Sequence, residues 1–319
     1  MPTIGVLDDY QDVALSMADW GAIPGGQVTT FTDHLAGERQ LVERLQPFEV
    51  LVVMRERTPF PRSVLERLPN LRLLVTTGPF NAAIDIAAAA EMGVTVCGTR
   101  GLTTPTVEMT WALLLAAARQ IPREDSAIRA GIWQQTVGAP LSGRTLGLLG
   151  LGRIGSLMVP IANAFGMNVV AWSQNLTTER AEAAGARRVE RQELFATSDV
   201  VSVHLVLSDR SRGLIGEREL RAMKNSALLV NTSRGPLVDE SALLRALHDG
   251  WIAGAAIDVF EVEPLPADSS LLTAPNLVLS PHLGYVTSDS YRIFYADAVA
   301  DIVAYLAGVP IRLAAAAPN

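Results

Sequence analysis

Three side chains with complementary chemistry follow apolar, strand-like segments in the second half of this 319-residue chain: Arg234, Glu263 and His282. A histidine exchanges a proton near neutral pH, and a carboxylate against its other ring nitrogen fixes the tautomer and stabilises the imidazolium. A guanidinium binds a carboxylate or polarises a carbonyl through paired hydrogen bonds. If a hydride were delivered to the carbonyl of a 2-oxo acid, these groups would suit the reaction, with His282 as acid/base, Glu263 as its orienting carboxylate and Arg234 as the substrate anchor.

Each of these residues also has a simpler explanation. An arginine after a strand is often a surface charge, Glu263 before Pro264 suits a solvated loop, and His282 after Pro281 suits a turn. Asp258, at the end of an apolar segment, needs a buried partner. A nicotinamide carboxamide or a backbone N–H would serve, and the sequence leaves both open.

The elements that would position this chemistry centre on the segment 143–173. An apolar strand, 145–149, leads into Gly150, Gly152 and Gly155, which open a helix, and a second apolar strand follows. The first glycine permits the tight turn, the second lets a pyrophosphate approach the backbone, and the third lets the helix pack closely on the sheet. The helix N-terminus offers free N–H groups to phosphates. The pattern predicts dinucleotide binding, with a purely structural turn as the alternative.

Strand and helix patterns alternate along most of the chain, which predicts an α/β fold with two domains. We expect a Rossmann-type doubly wound parallel sheet over 100–285 and a smaller flavodoxin-like parallel sheet over 1–99. An amphipathic helix after 286 has no remaining partner in the second sheet, so 286–319 is assigned to the smaller, discontinuous substrate domain. The alanine-rich end from 314 is expected to fray.

Composition narrows the classes of partner. A net charge of −7 and a sequence pI of about 5.2 argue against nucleic acid. The single cysteine, Cys97, excludes an intramolecular disulfide, and no Cys/His spacing suggests a metal site. The first residues resemble a strand more than a signal peptide, and no apolar run approaches membrane-spanning length. We therefore expect a cytoplasmic protein.

Two segments of the smaller domain are candidates for substrate binding. Arg55 follows one apolar strand, and the turn Gly78-Pro79-Phe80 follows the next. Ligands of open α/β sheets collect at these strand ends, and the N–H groups of Gly78 and Phe80 are suited to a carboxylate. A plain Gly-Pro turn and solvated charges are the alternative, which we favour for Glu56.

Several segments, taken together, resemble the D-isomer-specific 2-hydroxyacid dehydrogenases. In the second domain they are LGLLGLGRIG (146–155), VHLVLSDRSRGLI (203–215), LLVNTSRGPLVDE (228–240), AAIDVFEVEP (255–264) and LSPHLG (279–284). The smaller domain matches more weakly, through RERTP (55–59) and TTGPFNAAID (76–85). The resemblance implies a dehydrogenase that transfers a hydride between NAD or NADP and a small D-2-hydroxy or 2-oxo acid of the glyoxylate or hydroxypyruvate kind.

The resemblance also implies roles for individual residues. It implies that Arg234, Glu263 and His282 are catalytic and that the protein is a homodimer, with the helix region from Thr104 crossing between subunits. The implied cofactor contacts are Thr104, Gly150, Gly152, Arg153, Ile154, Gly155, Ser173, His204, Thr232, Ser233, Asp258 and Gly284. The implied substrate contacts are Arg55, Gly78, Pro79, Phe80 and Tyr285.

The chain departs from the family pattern at two places that bear on specificity. Members that use NAD typically carry Asp after the second strand, where this chain has Ser173, followed by Gln174 and Asn175. No carboxylate there would repel a 2′-phosphate, and Arg180 is a candidate to approach one, so the choice between NAD and NADP stays open. Tyr285 stands where a small residue is usual and is expected to narrow the substrate pocket.

Two other functions share these features. A formate dehydrogenase-like enzyme has the same fold, but Glu263 in the E-x-E-P segment argues against it. A nucleotide-sensing binding protein of the corepressor type would bind the dinucleotide without turnover, and no tail for recruiting partners is visible in the sequence.

Overall fold

The structure is a computed structural model that describes residues 1–314. It divides into two compact units, one formed by 1–102 with the described part of 287–319, and the other by 103–286. The sequence places these boundaries after 99 and after 285. Of the alanine-rich end expected to fray, everything after Ala314 lies outside the described residues. Ala314 itself donates its N–H to the carbonyl of Val96, at 2.9 Å.

Strands and helices alternate in chain order. The strands are β1 Thr3–Val6, β2 Gln27–Thr30, β3 Val50–Val53, β4 Leu73–Thr76, β5 Thr95–Gly98, β6 Thr145–Leu149, β7 Asn168–Trp172, β8 Arg187–Arg188, β9 Val200–Val203, β10 Leu228–Asn231, β11 Gly254–Ile257 and β12 Leu277–Leu279. The helices are α1 Ala14–Met17, α2 Glu38–Leu45, α3 Arg62–Leu65, α4 Ile86–Glu91, α5 Thr104–Ala118, α6 Ile121–Arg129, α7 Arg153–Ala164, α8 Thr178–Ala183, α9 Arg191–Thr197, α10 Glu217–Ala222, α11 Glu240–His248 and α12 Ser288–Leu306.

The smaller unit is a five-stranded parallel sheet in the order β2-β1-β3-β4-β5. Its central strands β3 and β4 are buried at every position, which explains their uninterrupted apolar sequences. Strand β2 lies at the edge and is partly exposed, so its polar sequence gave no strand signal. Helix α12 packs on this unit, where the ring of Tyr295 lies 6.1 Å from that of Trp20.

The larger unit is a seven-stranded parallel sheet in the order β12-β11-β10-β9-β6-β7-β8. Helices cover both of its faces, and each face has its own apolar core. The two parallel sheets confirm the expected α/β fold. The helical region that begins at Thr104 divides into α5 and α6, because Gln120 takes a left-handed conformation with φ of 55°. No helix within residues 1–314 is long and apolar enough to cross a membrane.

Candidate active site

The carboxyl ends of five neighbouring strands in the larger sheet lie level with one another. Consecutive register partners are the last residues of their strands, Leu149, Val203, Asn231, Ile257 and Leu279. The residues that follow them therefore form a row along this edge: Gly150, His204, Thr232, Asp258 and Ser280. The sequence order of strands reverses between β6 and β9, and ligands of such sheets bind at the carboxyl edge at that point.

Two of the three candidate catalytic side chains are in direct contact at this edge. Nδ1 of His282 lies 2.6 Å from Oε2 of Glu263, and the Phe260 N–H donates to Oε1 of Glu263 at 2.9 Å. Burial alone would raise the pKa of Glu263, but the His282 hydrogen bond and charge, the Phe260 amide and the Arg234 charge together lower it. Glu263 is therefore an anion that fixes the imidazole and leaves Nε2 available.

Arg234 reaches the same edge because of the glycine that follows it. A Cβ on Gly235 would overlap the backbone carbonyl group of Phe260, so only glycine allows the loops after β10 and β11 to approach this closely. The side-chain amide of Asn231 donates to the Arg234 carbonyl at 3.0 Å. The guanidinium Nη1 donates to the Ser233 carbonyl at 2.8 Å.

Asp258 finds its partners inside the protein. It is 0% exposed, and its carboxylate accepts hydrogen bonds from the Ser280 hydroxyl at 2.6 Å and from the N–H groups of Leu283 and Gly284, both at 2.8 Å. Burial raises the pKa of Asp258, although these three hydrogen bonds and the His282 charge act in the opposite direction. Of the two partners that the sequence left open, the structure contains the backbone N–H.

The glycine turn fits a bound dinucleotide. Gly150 has φ of +106°, and a Cβ there would lie 2.5 Å from the His204 carbonyl oxygen. A Cβ on Gly155 would overlap the Gly150 carbonyl oxygen, whereas no atom lies within 4 Å of the Cβ position at Gly152. This opening gives a pyrophosphate access to the first turn of α7, where Arg153 and Ile154 lie.

Helix α5 contributes two threonines that the sequence reasoning missed. Oγ1 of Thr110 lies 2.7 Å from Oγ1 of Thr232, and Thr106 donates to the Gly284 carbonyl at 3.1 Å. Thr104, which was expected at the cofactor, is the exposed first residue of the helix. The four-residue spacing of Thr106 and Thr110, which places both on one helix face, was the available signal.

Two further expected cofactor residues make hydrogen bonds within the larger unit. The Ser233 hydroxyl donates to the Leu205 carbonyl at 2.5 Å. His204 lies in the row after β9, with its Nε2 2.9 Å from the Ser202 hydroxyl, and burial lowers its pKa to about 4. The imidazole of His204 is therefore neutral near pH 7.

The loop after β7 carries polar, uncharged side chains. Ser173 follows the last strand residue, and Leu176 anchors the loop from its buried position. The Leu176 carbonyl accepts a hydrogen bond from Nε of Arg188 at 2.9 Å, which ties the loop to β8. The first carboxylate in the chain after β7 is that of Glu179, in α8.

In the smaller unit, one group that we expected to contact the substrate makes a hydrogen bond within the protein instead. The Gly78 N–H donates to the Thr99 hydroxyl at 2.7 Å, so this amide does not point at a ligand as we expected. Pro79 has no N–H, which leaves Phe80 as the candidate donor of the turn. Arg55, in a left-handed conformation with φ of 52°, extends its guanidinium over Gly78, where a Cβ would overlap it.

Tyr285 packs against the candidate acid–base residue. Its ring centre lies 5.3 Å from that of His282 at an interplanar angle of 73°, an edge-to-face contact. Tyr285 is 7% exposed. A bulky, fixed side chain therefore occupies the space beside the imidazole.

Comparisons with known proteins agree with this geometry. The family model for the D-isomer specific 2-hydroxyacid dehydrogenase NAD binding domain matches residues 111–284. A glyoxylate reductase from Aeropyrum pernix is 41% identical over 261 residues, which are 78% of this chain and 78% of that protein. A phosphoglycerate oxidoreductase from Vibrio cholerae o395 has a TM-score of 0.92 at 40% identity, over 97% of this chain and 100% of that chain. A glyoxylate reductase from Paecilomyes thermophila has a TM-score of 0.77 at 30% identity, over 98% of each chain.

A doubly wound parallel sheet with this glycine turn, and a glutamate–histidine pair at its carboxyl edge, defines a nicotinamide-dependent oxidoreductase. The chain belongs to the D-isomer specific 2-hydroxyacid dehydrogenase family. It is an oxidoreductase that transfers hydride between a nicotinamide cofactor and a 2-hydroxy or 2-oxo acid. The resemblance predicted from the sequence segments is confirmed.

Proposed function

We propose that this enzyme reduces a small 2-oxo acid such as glyoxylate or hydroxypyruvate, with His282 as the proton donor. The observation that carries the proposal is the 2.6 Å contact between Nδ1 of His282 and Glu263, at the sheet edge that Arg234 also reaches. Similarity to glyoxylate reductases supports the choice of substrate class.

The chemistry divides among the residues of this edge. A nicotinamide cofactor held at the glycine turn would supply the hydride for the carbonyl carbon. His282, as the imidazolium, donates the Nε2 proton to the developing alkoxide and becomes neutral, while the Glu263 carboxylate stabilises the imidazolium before the transfer and holds the proton on Nδ1. Arg234 orients the substrate through its carboxylate and carbonyl oxygens. In the oxidation direction His282 accepts the proton instead.

Arg55 and the Phe80 amide, which belong to the smaller unit, are kept as proposed substrate contacts. Arg55 supplies a positive charge over Gly78, and the Phe80 amide is the backbone donor of the turn. Tyr285 limits the substrate to a short side chain because it fills the space beside His282. Tyr285→Ala is therefore expected to raise kcat/KM for bulkier 2-oxo acids relative to glyoxylate.

We propose further that NADPH is accepted as the reductant. The loop 173–177 has no carboxylate to repel a 2′-phosphate. The Arg191 guanidinium lies 5.8 Å from the ring centre of Trp172, which places a positive charge beside the end of β7. Initial rates with NADPH and NADH, in the natural enzyme and in Ser173→Asp, Arg180→Gln and Arg191→Gln, test this. A strong preference for NADH in the unaltered protein would overturn it.

A homodimer is the proposed assembly. Large apolar side chains are exposed along 121–137, and Trp133 is 73% exposed. The exposed set is Ile121, Ile128, Ile132, Trp133 and Val137. Exposed large apolar side chains concentrated in one segment favour an interface. Light scattering should give twice the 34.1 kDa of the chain, and Trp133→Arg should shift the mass towards the monomer.

The decisive experiment on function is a reductase assay with glyoxylate, hydroxypyruvate, pyruvate, 2-oxoglutarate and bulkier 2-oxo acids. We expect turnover with the smallest acids. His282→Asn should lower kcat by about 10²- to 10⁴-fold, the usual contribution of general acid–base catalysis, with cofactor binding retained. Full turnover in that variant would overturn the assignment of His282.

A further inference from the structure

The backbone of Arg55 is held by side chains that follow the neighbouring strand. Strands β3 and β4 pair in parallel, and the segments that follow them leave the sheet side by side. The Arg55 N–H donates to Oγ1 of Thr77 at 2.9 Å, and the Arg55 carbonyl accepts a hydrogen bond from Nδ2 of Asn81 at 2.6 Å. Both backbone polar groups of Arg55 therefore meet side chains of the segment after β4.

Arg55 needs these contacts because its backbone is strained. Its φ of 52° lies in the left-handed region that residues with a Cβ rarely adopt. A conformation of this kind persists only where the surrounding contacts determine it. In this conformation the guanidinium extends over the turn that begins at Gly78, where a Cβ would overlap Nη1 of Arg55. The backbone conformation of Arg55 and the place of its charge are thus linked.

Asn81 is fixed in one orientation by its own hydrogen bonds. It is 4% exposed, its Nδ2 also donates to Oγ1 of Thr76 at 2.8 Å, and its Oδ1 accepts the Ala83 N–H at 2.9 Å. The reversed amide would set acceptor against acceptor and donor against donor, so this orientation is required. Because Asn81 directly follows Phe80, one buried side chain connects the Arg55 backbone with the turn that carries the Phe80 amide.

Thr77 holds the other end of the same turn. It is 0% exposed, and its hydroxyl donates to Sδ of Met54 at 3.2 Å, which leaves the oxygen to accept the Arg55 N–H. The next residue, Gly78, is held through its N–H by the Thr99 hydroxyl. The turn is therefore fixed within the smaller unit at both ends, and Arg55 is bonded to each end.

We infer that Thr77 and Asn81 are positioning residues that set the Arg55 guanidinium against the Phe80 amide, and thereby the affinity for the substrate carboxylate. A guanidinium binds a carboxylate through directional, paired hydrogen bonds, so a shift of its backbone weakens the contact. The inference rests on the proposed substrate contacts of Arg55 and Phe80.

Four variants test the positioning role. Thr77→Val keeps the shape of the side chain and removes the acceptor of the Arg55 N–H, whereas Thr77→Ser keeps the hydroxyl. Asn81→Ala removes the donor to the Arg55 carbonyl. Thr58→Val is the matched control, because Thr58 is 2% exposed in the same unit and its hydroxyl donates to Oδ2 of Asp8 at 2.7 Å.

The substrate for this test is the 2-oxo acid that the natural enzyme reduces best. Thr77→Val and Asn81→Ala should each raise its KM by about tenfold or more, because a hydrogen bond to a charged group contributes a factor of about 10 to 100 to binding. Their kcat at saturating substrate should stay within about threefold, since the carboxylate is bound in the ground state and the transition state alike. Thr77→Ser and Thr58→Val should keep KM within about threefold, because the contacts of Arg55 are retained.

A double-variant cycle with Arg55→Gln shows whether Asn81 acts through Arg55. Arg55→Gln alone should raise KM by about 10- to 100-fold, because it removes the charge. In that background Asn81→Ala should raise KM by less than about twofold, since the side chain that it positions is gone. The same increase of KM with and without Arg55 would overturn the inference.

Two further results separate this inference from the proposed function. A KM in Thr77→Val and Asn81→Ala no higher than in Thr58→Val would overturn the positioning role alone, and either variant decides if the other does not fold. An unchanged KM in Arg55→Gln would instead overturn the proposed substrate contact of Arg55, and the positioning role with it.

Discussion

His282 and Glu263 are separated by 19 positions in the chain, yet Nδ1 of the imidazole lies 2.6 Å from the carboxylate Oε2. The contact forms because the loops after β11 and β12 leave neighbouring strands at the same edge. Nδ1 of His282 is therefore hydrogen-bonded to Glu263, and Nε2 is the ring nitrogen that remains for the substrate oxygen.

Glu263→Gln should lower kcat for reduction by about 10- to 100-fold, part of the factor that acid–base catalysis supplies. The glutamine still hydrogen-bonds the ring but does not stabilise an imidazolium, so the decline of kcat with rising pH should begin at lower pH. Steady-state rates between pH 5 and 9 measure both effects. Glu261→Gln, at an exposed position two residues earlier, is the control, and equal rates for the two variants would contradict the role of Glu263.

Gly152→Ala and Gly155→Ala should fail in different ways. The methyl group added in Gly155→Ala would overlap the Gly150 carbonyl, so this variant should lose about 1–3 kcal/mol of unfolding free energy, as for overpacking. The methyl group added in Gly152→Ala has no neighbour within 4 Å, so stability should change by less than about 0.5 kcal/mol. Nucleotide binding by Gly152→Ala should weaken by about tenfold or more, because the methyl blocks the pyrophosphate. Urea unfolding measures the changes in stability, and fluorescence titration measures nucleotide binding. Unchanged binding by Gly152→Ala would contradict the approach of the pyrophosphate to the backbone at Gly152.

Asp297→Asn should destabilise the smaller unit by about 1–3 kcal/mol near neutral pH. Asp297 is 3% exposed and accepts hydrogen bonds from N, Nε and Nη2 of Arg100, at 2.9, 3.0 and 2.8 Å. Burial alone would raise the pKa of Asp297, but the bonds from Arg100 and the Arg312 charge lower it overall. Because the pKa of Asp297 is lower in the folded protein than in the unfolded chain, where it is about 4, the ionised carboxylate stabilises the fold above about pH 4. This contribution disappears as the pH falls through the folded pKa.

The difference between natural protein and Asp297→Asn should therefore be largest near pH 7 and vanish in acid, as urea unfolding at several pH values will show. Asp289→Asn is the control on the same helix, since the Asp289–Arg292 pair is exposed on both sides. Such pairs contribute little, so a change below about 0.5 kcal/mol is expected. A pH-independent loss in Asp297→Asn would argue against the ion pair.

His204 should make the larger unit sensitive to mild acid. Burial lowers its folded pKa to about 4, against about 6.5 when unfolded, so the unfolded chain takes up the proton first as pH falls. The contribution of neutral His204 to the free energy of unfolding is fully present above about pH 6.5. It is lost as the pH falls towards about 4, and the loss is at most about 3 kcal/mol. His204→Gln should flatten that decline in urea unfolding, whereas His248→Gln, at an exposed site, should not. The same dependence of unfolding free energy on pH in His204→Gln and in the natural protein would contradict the prediction.

The sequence by itself determined the parts of the fold that local patterns encode. Apolar runs predicted the buried central strands, and the glycine turn between β6 and α7 predicted the dinucleotide site. Arg234, Glu263 and His282 stood out because their chemistry follows strand ends, which meet at one edge of any parallel sheet. The short edge strands β2 and β8 escaped detection, since partial exposure leaves no apolar run.

Only the tertiary structure decided which groups each polar atom meets. Thr99 takes the Gly78 amide that we assigned to a substrate, and Ser280, Leu283 and Gly284 hydrogen-bond the Asp258 carboxylate, whose partner the residue pattern left open. These partners come from other strands or loops, and their choice depends on register and loop path. The spacing of residues in the sequence does not specify the register or the loop path. A hydrogen bond depends on positions in space, and a buried donor or acceptor without a partner is penalised, so the fold decides which partner each group takes.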